Sequence, residues 1–358
     1  MKVSIGSSRD GVHDWDSAVT FAQEAERLGV DSLWSAEAWG HDGITPLAYL
    51  AGKTSTIGLG TGIIQAGTRT PALVAMTCMT LQSMTGGRFR LGLGTSGPQV
   101  IEGWHGIPFD RPVTRIKEII EITRLAMSGE KLAYDGTLHQ LPLPGGEGKA
   151  IRSSAPPADP PPIYIASLGP RSLRMTGALA DGWLGTSFIP ETADVFFDEI
   201  RAGAEAAGRS LSELDLQAGG AVVFTDDVEA AAAEHARGIA FTLGAMGSAQ
   251  HNFYNDAFCR QGYADEAKEI QRLWIEGNRD EARARVPVDL ALKVNLIGDD
   301  AAIKERLRVY RDAGVTTIRA GVEGNNVAER IENLEHFMAL VADISAEDSI
   351  PDGISNEA

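Results

Sequence analysis

Two short stretches set an acid or an imidazole beside an indole. Glu37-Ala38-Trp39-Gly40-His41-Asp42 is the first, and Glu102-Gly103-Trp104-His105 repeats the combination. Proton transfer needs a titratable side chain at the ligand, so Glu37, His41 and His105 are the candidate acid/base groups. Trp39 and Trp104 offer faces for stacking on a planar ligand. Each also has a plainer reading: Glu37 bonding neighbouring backbone, the histidines capping loops, the tryptophans packing.

A third stretch, Ser167-Leu168-Gly169-Pro170-Arg171-Ser172, opens a helix. Successive backbone N–H groups and the helix dipole make such a place an anion pocket. Arg171 and Thr186 would complete a phosphate cradle; the alternative is an ordinary turn with proline at the first helical position.

A fourth stretch, Thr56 to Pro71, carries Gly58, Gly60 and Gly62 in an apolar run. Glycines in a strand sacrifice packing, which is tolerable where something flat or bulky lies against the backbone. A barrel strand crowded by its neighbours is the alternative. Gly94-Thr95-Ser96-Gly97-Pro98-Gln99 forms a second glycine-bearing loop. No G-x-S-x-G, H-E-x-x-H, P-loop or C-x-x-C occurs, so hydrolase, zinc-enzyme and ATPase readings lose their usual support. Cys78 and Cys259 are far apart and give no metal-ligand spacing; no metal is expected.

The elements that must position these groups form a repeating cassette of amphipathic helix, glycine and short β-rich run. Asp16–Leu28 with Gly29, Pro71–Met84 with Gly86-Gly87, Arg171–Ala180, and Ile303–Ala313 with Gly314 are the helical members. Repetition of this unit predicts a parallel sheet. Eight strands are expected: Val3–Gly6, Ser32–Ser35, Ile57–Ile63, Phe89–Leu93, Ile163–Ser167, Gly182–Thr186, Leu216–Val223 and Thr317–Val322. The fold class is therefore α/β, a (β/α)8 TIM barrel with insertions. A doubly wound sheet loses ground because no G-x-G-x-x-G follows the first strand. One domain is expected over 1–345, with insertions at about 134–162 and 241–288 and a polar tail at 346–358. In such a barrel function lies at the C-terminal ends of the strands, where all four stretches fall.

Composition narrows the partners. The 358 residues are 43% hydrophobic with a net charge of −17, which disfavours nucleic acid and anionic membrane. An anionic ligand must then be held by local groups. No run of eighteen apolar residues and no hydrophobic leader appears, and two distant cysteines suit a reducing cytoplasm.

The succession TGIIQAGTRTP, LQSMTGGRFRLGLGTSGPQVIEGWHG and PPIYIASLGPRSLRMTGALADGWLGTS resembles the bacterial luciferase-like superfamily. Within it the chain resembles the coenzyme F420-dependent oxidoreductases, over about residues 1–340. The resemblance implies a (β/α)8 barrel, usually a homodimer, that binds F420 or FMN at its C-terminal rim. It implies a non-prolyl cis peptide at Gly62–Ile63, after Thr61, bulging toward the deazaflavin. It also implies cofactor phosphate at Gly169, Pro170 and Arg171 near Thr186, beside Ser167 and Leu168, with Gly94, Thr95, Ser96 and Gly97 along the ring or ribityl side. Glu37-Ala38 stands where the sugar-phosphate and secondary-alcohol dehydrogenases of the group carry Asp-His, and Gly97 where they carry Glu. Their catalytic histidine is absent, and Glu37, His41 or His105 remain as the possible acid/base.

The function these readings imply is F420-dependent oxidoreductase activity, with hydride passing between C5 of the deazaflavin and a small organic substrate. An FMN-dependent two-component monooxygenase on the same scaffold is the alternative, and a cofactor-binding non-enzyme the third. Trp39, Gln99, Trp104, His251 and Tyr254 are the expected substrate contacts.

Overall fold

The computed structural model describes residues 1–7, 14–247 and 252–347. Eight parallel strands follow one another around a ring in chain order. They are β1 (Lys2–Gly6), β2 (Ser32–Ser35), β3 (Gly58–Thr61), β4 (Phe89–Gly94), β5 (Ile163–Ala166), β6 (Gly182–Leu184), β7 (Asp215–Ala218) and β8 (Thr317–Val322). β1 pairs with β8 from Lys2↔Thr317 to Ile5↔Ala320, which closes the barrel. The fold is a (β/α)8 TIM barrel.

Outer helices begin and end where local chemistry dictates. The Asp14 side chain caps Trp15–Arg27 by accepting from the Asp16 amide, and Thr70 caps Pro71–Thr85. Gly86, at φ 64°, ends the latter in the left-handed conformation that glycine adopts without steric cost. The main apolar core lies between these helices and the strands' outer faces. Inside the barrel, the N-terminal floor is polar. Asp215 accepts from Tyr164, Thr316, Thr317 and Gln217, and Arg90 pairs with Asp31 at 2.6 Å.

Three elements differ from expectation. The run Leu216–Val223 is not one strand but β7 and a separate strand, Ala221–Phe224, broken at Gly219-Gly220. There a side chain at Gly219 would lie 2.3 Å from the Arg319 carbonyl oxygen, and one at Gly220 2.1 Å from that of Val294. The two glycines let backbones meet, and the chain leaves the ring. Ala221–Phe224 instead pairs with the end of β8 and with an unforeseen strand, Leu296–Gly298. The run Ile57–Ile63 is strand only over Gly58–Thr61 and resumes as Ile64–Gln65 beside the end of β4.

The insertion at 134–162 contains a two-stranded antiparallel ribbon, Tyr134–Asp135 with Gln140–Leu141. The buried Glu118 carboxylate holds its turn, accepting from the amides of Thr137, Leu138 and His139 at 2.6–3.1 Å. The helical insertion starts at Val228, runs in several helices to Lys293, and has its own apolar core around Leu243, Ile270 and Leu290. The last helix, Val327–Glu347, continues past Ile344; residues 348–358 lie outside the described residues. Among the described residues no helix is long and apolar enough to cross a membrane.

Candidate active site

The glycines of β3 face the chain's own side chains. A Cβ at Gly60 would lie 2.3 Å from Cζ3 of Trp34, one at Gly62 2.8 Å from the Trp34 Cβ, and one at Gly58 2.9 Å from Nε of Arg90. Trp34, on the neighbouring strand, is buried and meets Tyr164 edge-to-face at 4.9 Å. The flat group lying on this strand is therefore an indole from β2. Sequence reasoning missed Trp34, although alternate glycines opposite a tryptophan in strand register were the signal. Its indole N–H, at Nε1, donates to no protein atom.

Thr61 acts as a clasp between strands. Its hydroxyl donates to the Gly92 carbonyl and accepts from the Gly92 amide, both at 2.8 Å. Past it, the peptide between Gly62 and Ile63 is cis. The Gly62 amide donates to the Ser35 carbonyl at 2.7 Å, and the Glu37 amide to the Ile63 carbonyl at 3.1 Å. The end of β2 thus holds both sides of this peptide. Gly94 packs against Ile63, where a side chain would meet Cδ1 at 2.8 Å.

The Glu37 side chain extends the same clamp. Its carboxylate accepts both terminal nitrogens of Arg69 and the Gly43 amide. Burial raises its pKa, but the Arg69 hydrogen bonds, the Gly43 amide and the Arg69 charge outweigh that and hold it below the ordinary glutamate value. An ionised carboxylate with these acceptor positions filled suits a positioning role. Arg69 went unrecognised in the sequence because it lies a full βα unit from Glu37. His41 and His105 are exposed, and the His41 ring lies edge-on to Trp15 at 5.7 Å.

Between the β4 loop and the helical insertion lies a cleft of about 390 Å³. Of the expected substrate contacts it brings together Trp39, Gln99, Trp104 and Tyr254, with Ser96 and Gly97 from the glycine loop. Phe241 and Phe253 of the insertion, which sequence reasoning did not single out, close the other side. Glu37, His41 and His105 do not line it. His251 lies outside the described residues. Ser96 holds φ 56°, and Thr95 donates to its carbonyl at 3.0 Å.

A second cleft of about 390 Å³ joins Arg171 to Arg111, Thr137 and the first turn of the helix Pro112–Met127. Gly169 caps the helix Pro170–Leu179, whose first-turn amides, including that of Arg171, have no intrahelical acceptor. The Ser167 hydroxyl is spent on Thr176 at 2.8 Å, and the Leu168 carbonyl accepts from Arg260 at 2.5 Å. Thr186 is exposed just past β6. Arg111 was missed because only folding brings it to Arg171; its left-handed φ of 45° left no one-dimensional trace.

Neither cysteine lines either cleft; Cys78 is buried, and burial pushes its thiol up to about 12. No cluster of metal-ligating side chains occurs among the described residues.

Residues 2–317 match the model of the luciferase-like monooxygenase family. A Mycobacterium tuberculosis protein whose provisional name is coenzyme F420-dependent oxidoreductase Rv3520c is 36% identical over 325 residues, 88% of this chain and 93% of that one. The 5,10-methylenetetrahydromethanopterin reductase of Methanolobus tindarius is 31% identical over 304 residues, covering 84% of this chain and 88% of the reductase. The solved coenzyme F420-dependent tetrahydromethanopterin reductase of Methanopyrus kandleri superposes with a TM-score of 0.76 at 24% identity, covering 94% of this chain and 98% of the other.

Proposed function

The chain belongs to the luciferase-like monooxygenase family, and we propose that within it the protein is an F420-dependent oxidoreductase that exchanges a hydride between the cofactor and a small organic substrate. The observation that carries the reading is the kinship, along nearly the whole barrel, with a relative named for F420. The rim agrees with it. Flat and anionic parts of a cofactor need different surroundings, and both are present on this face. Ile63, packed on Gly94, and the loop on to Gly97 stand at the strand ends and would support a ring. Arg171, Arg111 and the first-turn amides of Pro170–Leu179 suit phosphate or carboxylate groups. When bound, F420 supplies a two-electron hydride carrier at C5. The chain's own residues bind it, orient it and shield it. Glu37 and Arg69 fix the loops on either side of Ile63.

Titration of the purified protein with F420 and with FMN, followed by fluorescence quenching, tests the reading. F420 is expected to bind in the micromolar range or tighter and FMN much more weakly. Tight FMN binding with none for F420 would establish the monooxygenase alternative instead. We also infer a homodimer, because Leu73, Met76 and Met84 are about half exposed on one helix, Pro71–Thr85.

A further inference from the structure

The two clefts at the rim have opposite chemistry, and this division points to the substrate. The cleft beside the glycine loop is walled by Trp39, Trp104, Phe241, Phe253 and Tyr254. No Asp, Glu, Lys, Arg or His is among its described lining residues. The cleft at Arg111 and Arg171 carries the cationic side chains instead. We propose that the aromatic cleft is the substrate site and selects an uncharged, ring-bearing organic molecule, excluding anionic ones. The inference rests on the reading of the protein as an F420-dependent oxidoreductase and deepens it.

Charge and shape both lead there. Among the described lining residues an anion entering the aromatic cleft would meet no counter-charge; it would be desolvated against indole and phenyl faces and would approach a chain of net charge −17. A flat neutral ring would stack on Trp39 and Trp104, which are 50% and 66% exposed and otherwise leave large apolar faces in water. A volume of about 390 Å³ is near the lower end of small-molecule sites and suits a substrate of one to three fused rings. Orientation falls to the few polar groups among the described lining residues, above all the Gln99 amide and the Ser96 hydroxyl, which can bond a carbonyl or hydroxyl oxygen. Ser96 and Gly97 belong both to this cleft and to the loop read as lining the cofactor, so the substrate would lie against the cofactor loop.

Calorimetric titration of the F420-loaded protein with coumarin and with coumarin-3-carboxylate tests this. These probes share a ring system and differ by one negative charge. Coumarin is expected to bind at least about tenfold more tightly. Trp104→Ala should weaken coumarin about fivefold, and Gln99→Lys, at an exposed position, should reverse the preference by supplying a cation. F420 affinity is measured in parallel for every variant. Equal or tighter binding of the carboxylate to the unaltered protein, or coumarin binding indifferent to Trp104→Ala, overturns the inference while F420 binding stands. Failure to bind F420, with coumarin still preferred, overturns the cofactor assignment and leaves the charge selection intact.

Discussion

The Glu37 carboxylate grips the Arg69 guanidinium at two points, Oε1 to one terminal nitrogen at 2.7 Å and Oε2 to the other at 2.6 Å. Both side chains are largely buried, at 9% and 16% exposure. The pair joins the loop after β2 to the loop after Ile64–Gln65, with the Gly62–Ile63 turn between them. Its position at the rim invites a catalytic reading, but its geometry is that of a brace.

Glu37→Gln is therefore expected to lower stability, by about 3 kcal/mol, because Arg69 is left buried without its counter-charge. The pH dependence has a defined sign. The folded carboxyl titrates below the ordinary glutamate value, so its stabilisation is present above the unfolded pKa and is lost as pH falls through the folded one. Urea unfolding of both proteins at neutral pH and at about pH 3, below the ordinary glutamate pKa, reads this: the gap should narrow toward acid. A gap that widens there would contradict the brace.

The glycines of β3 make a second prediction. Gly60→Ala places a methyl 2.3 Å from the Trp34 ring and should destabilise by about 2–3 kcal/mol. Trp34→Leu leaves a cavity and is destabilising too. Because the two changes relieve each other, the double variant should be more stable than the sum of the singles by at least about 1 kcal/mol. Thermal unfolding of the four proteins measures the coupling, and simple additivity would show that Trp34 is not what the glycine accommodates.

The barrel was legible because several βα units repeat their punctuation: an apolar helical stripe closed by a glycine such as Gly29, Gly86 or Gly314, then a short β-rich run. What escaped reading depended on through-space pairing. Gly219-Gly220 reads as a flaw within a strand, whereas it is where the chain leaves the ring to let backbones touch. The strand Leu296–Gly298 has three residues, too few to show a period. At the site, loop residues after each strand were readable from the rim rule. Trp34, Arg69 and Arg111 were not, since each matters through a partner remote in sequence: Gly60, Glu37 and Arg171.

Arg111 and Arg171 lead to a binding prediction. If both face the anionic end of the cofactor, Arg111→Ala and Arg171→Ala should each weaken F420 about tenfold, an amount typical of one charge-assisted hydrogen bond. The affinity of the unaltered protein should fall as salt rises, and less steeply in either variant. Fluorescence titration at two ionic strengths decides it. Unchanged affinity in Arg111→Ala would remove the second cleft from the cofactor site and leave Arg171 with its helix amides.

The exposed face of Pro71–Thr85 leads to a prediction about assembly. Leu73, Met76 and Met84 are 47%, 58% and 51% exposed. With a second copy covering them, Met76→Glu should shift a dimer toward monomer in sedimentation without changing the circular dichroism. A unaltered protein sedimenting as a monomer at micromolar concentration would end that inference.

The last prediction concerns proton transfer. His41 and His105 are exposed and line neither cleft, and Glu37 is bound to Arg69. Among the described residues lining the aromatic cleft, Tyr254 is the one with an ionisable side chain. A proton accompanying hydride transfer would therefore reach the substrate from water or through the Tyr254 hydroxyl. With a cyclic-enone acceptor panel and reduced F420, followed by absorbance, His41→Asn and His105→Asn should keep turnover within about twofold. The rate should show no inflection near pH 6.5, the ordinary histidine pKa. Tyr254→Phe should slow turnover more than it weakens acceptor binding, since a lost proton donor acts on kcat. A large loss of kcat in either histidine variant, with an imidazole-like inflection removed, would return the acid to the rim loops after β2 or β4.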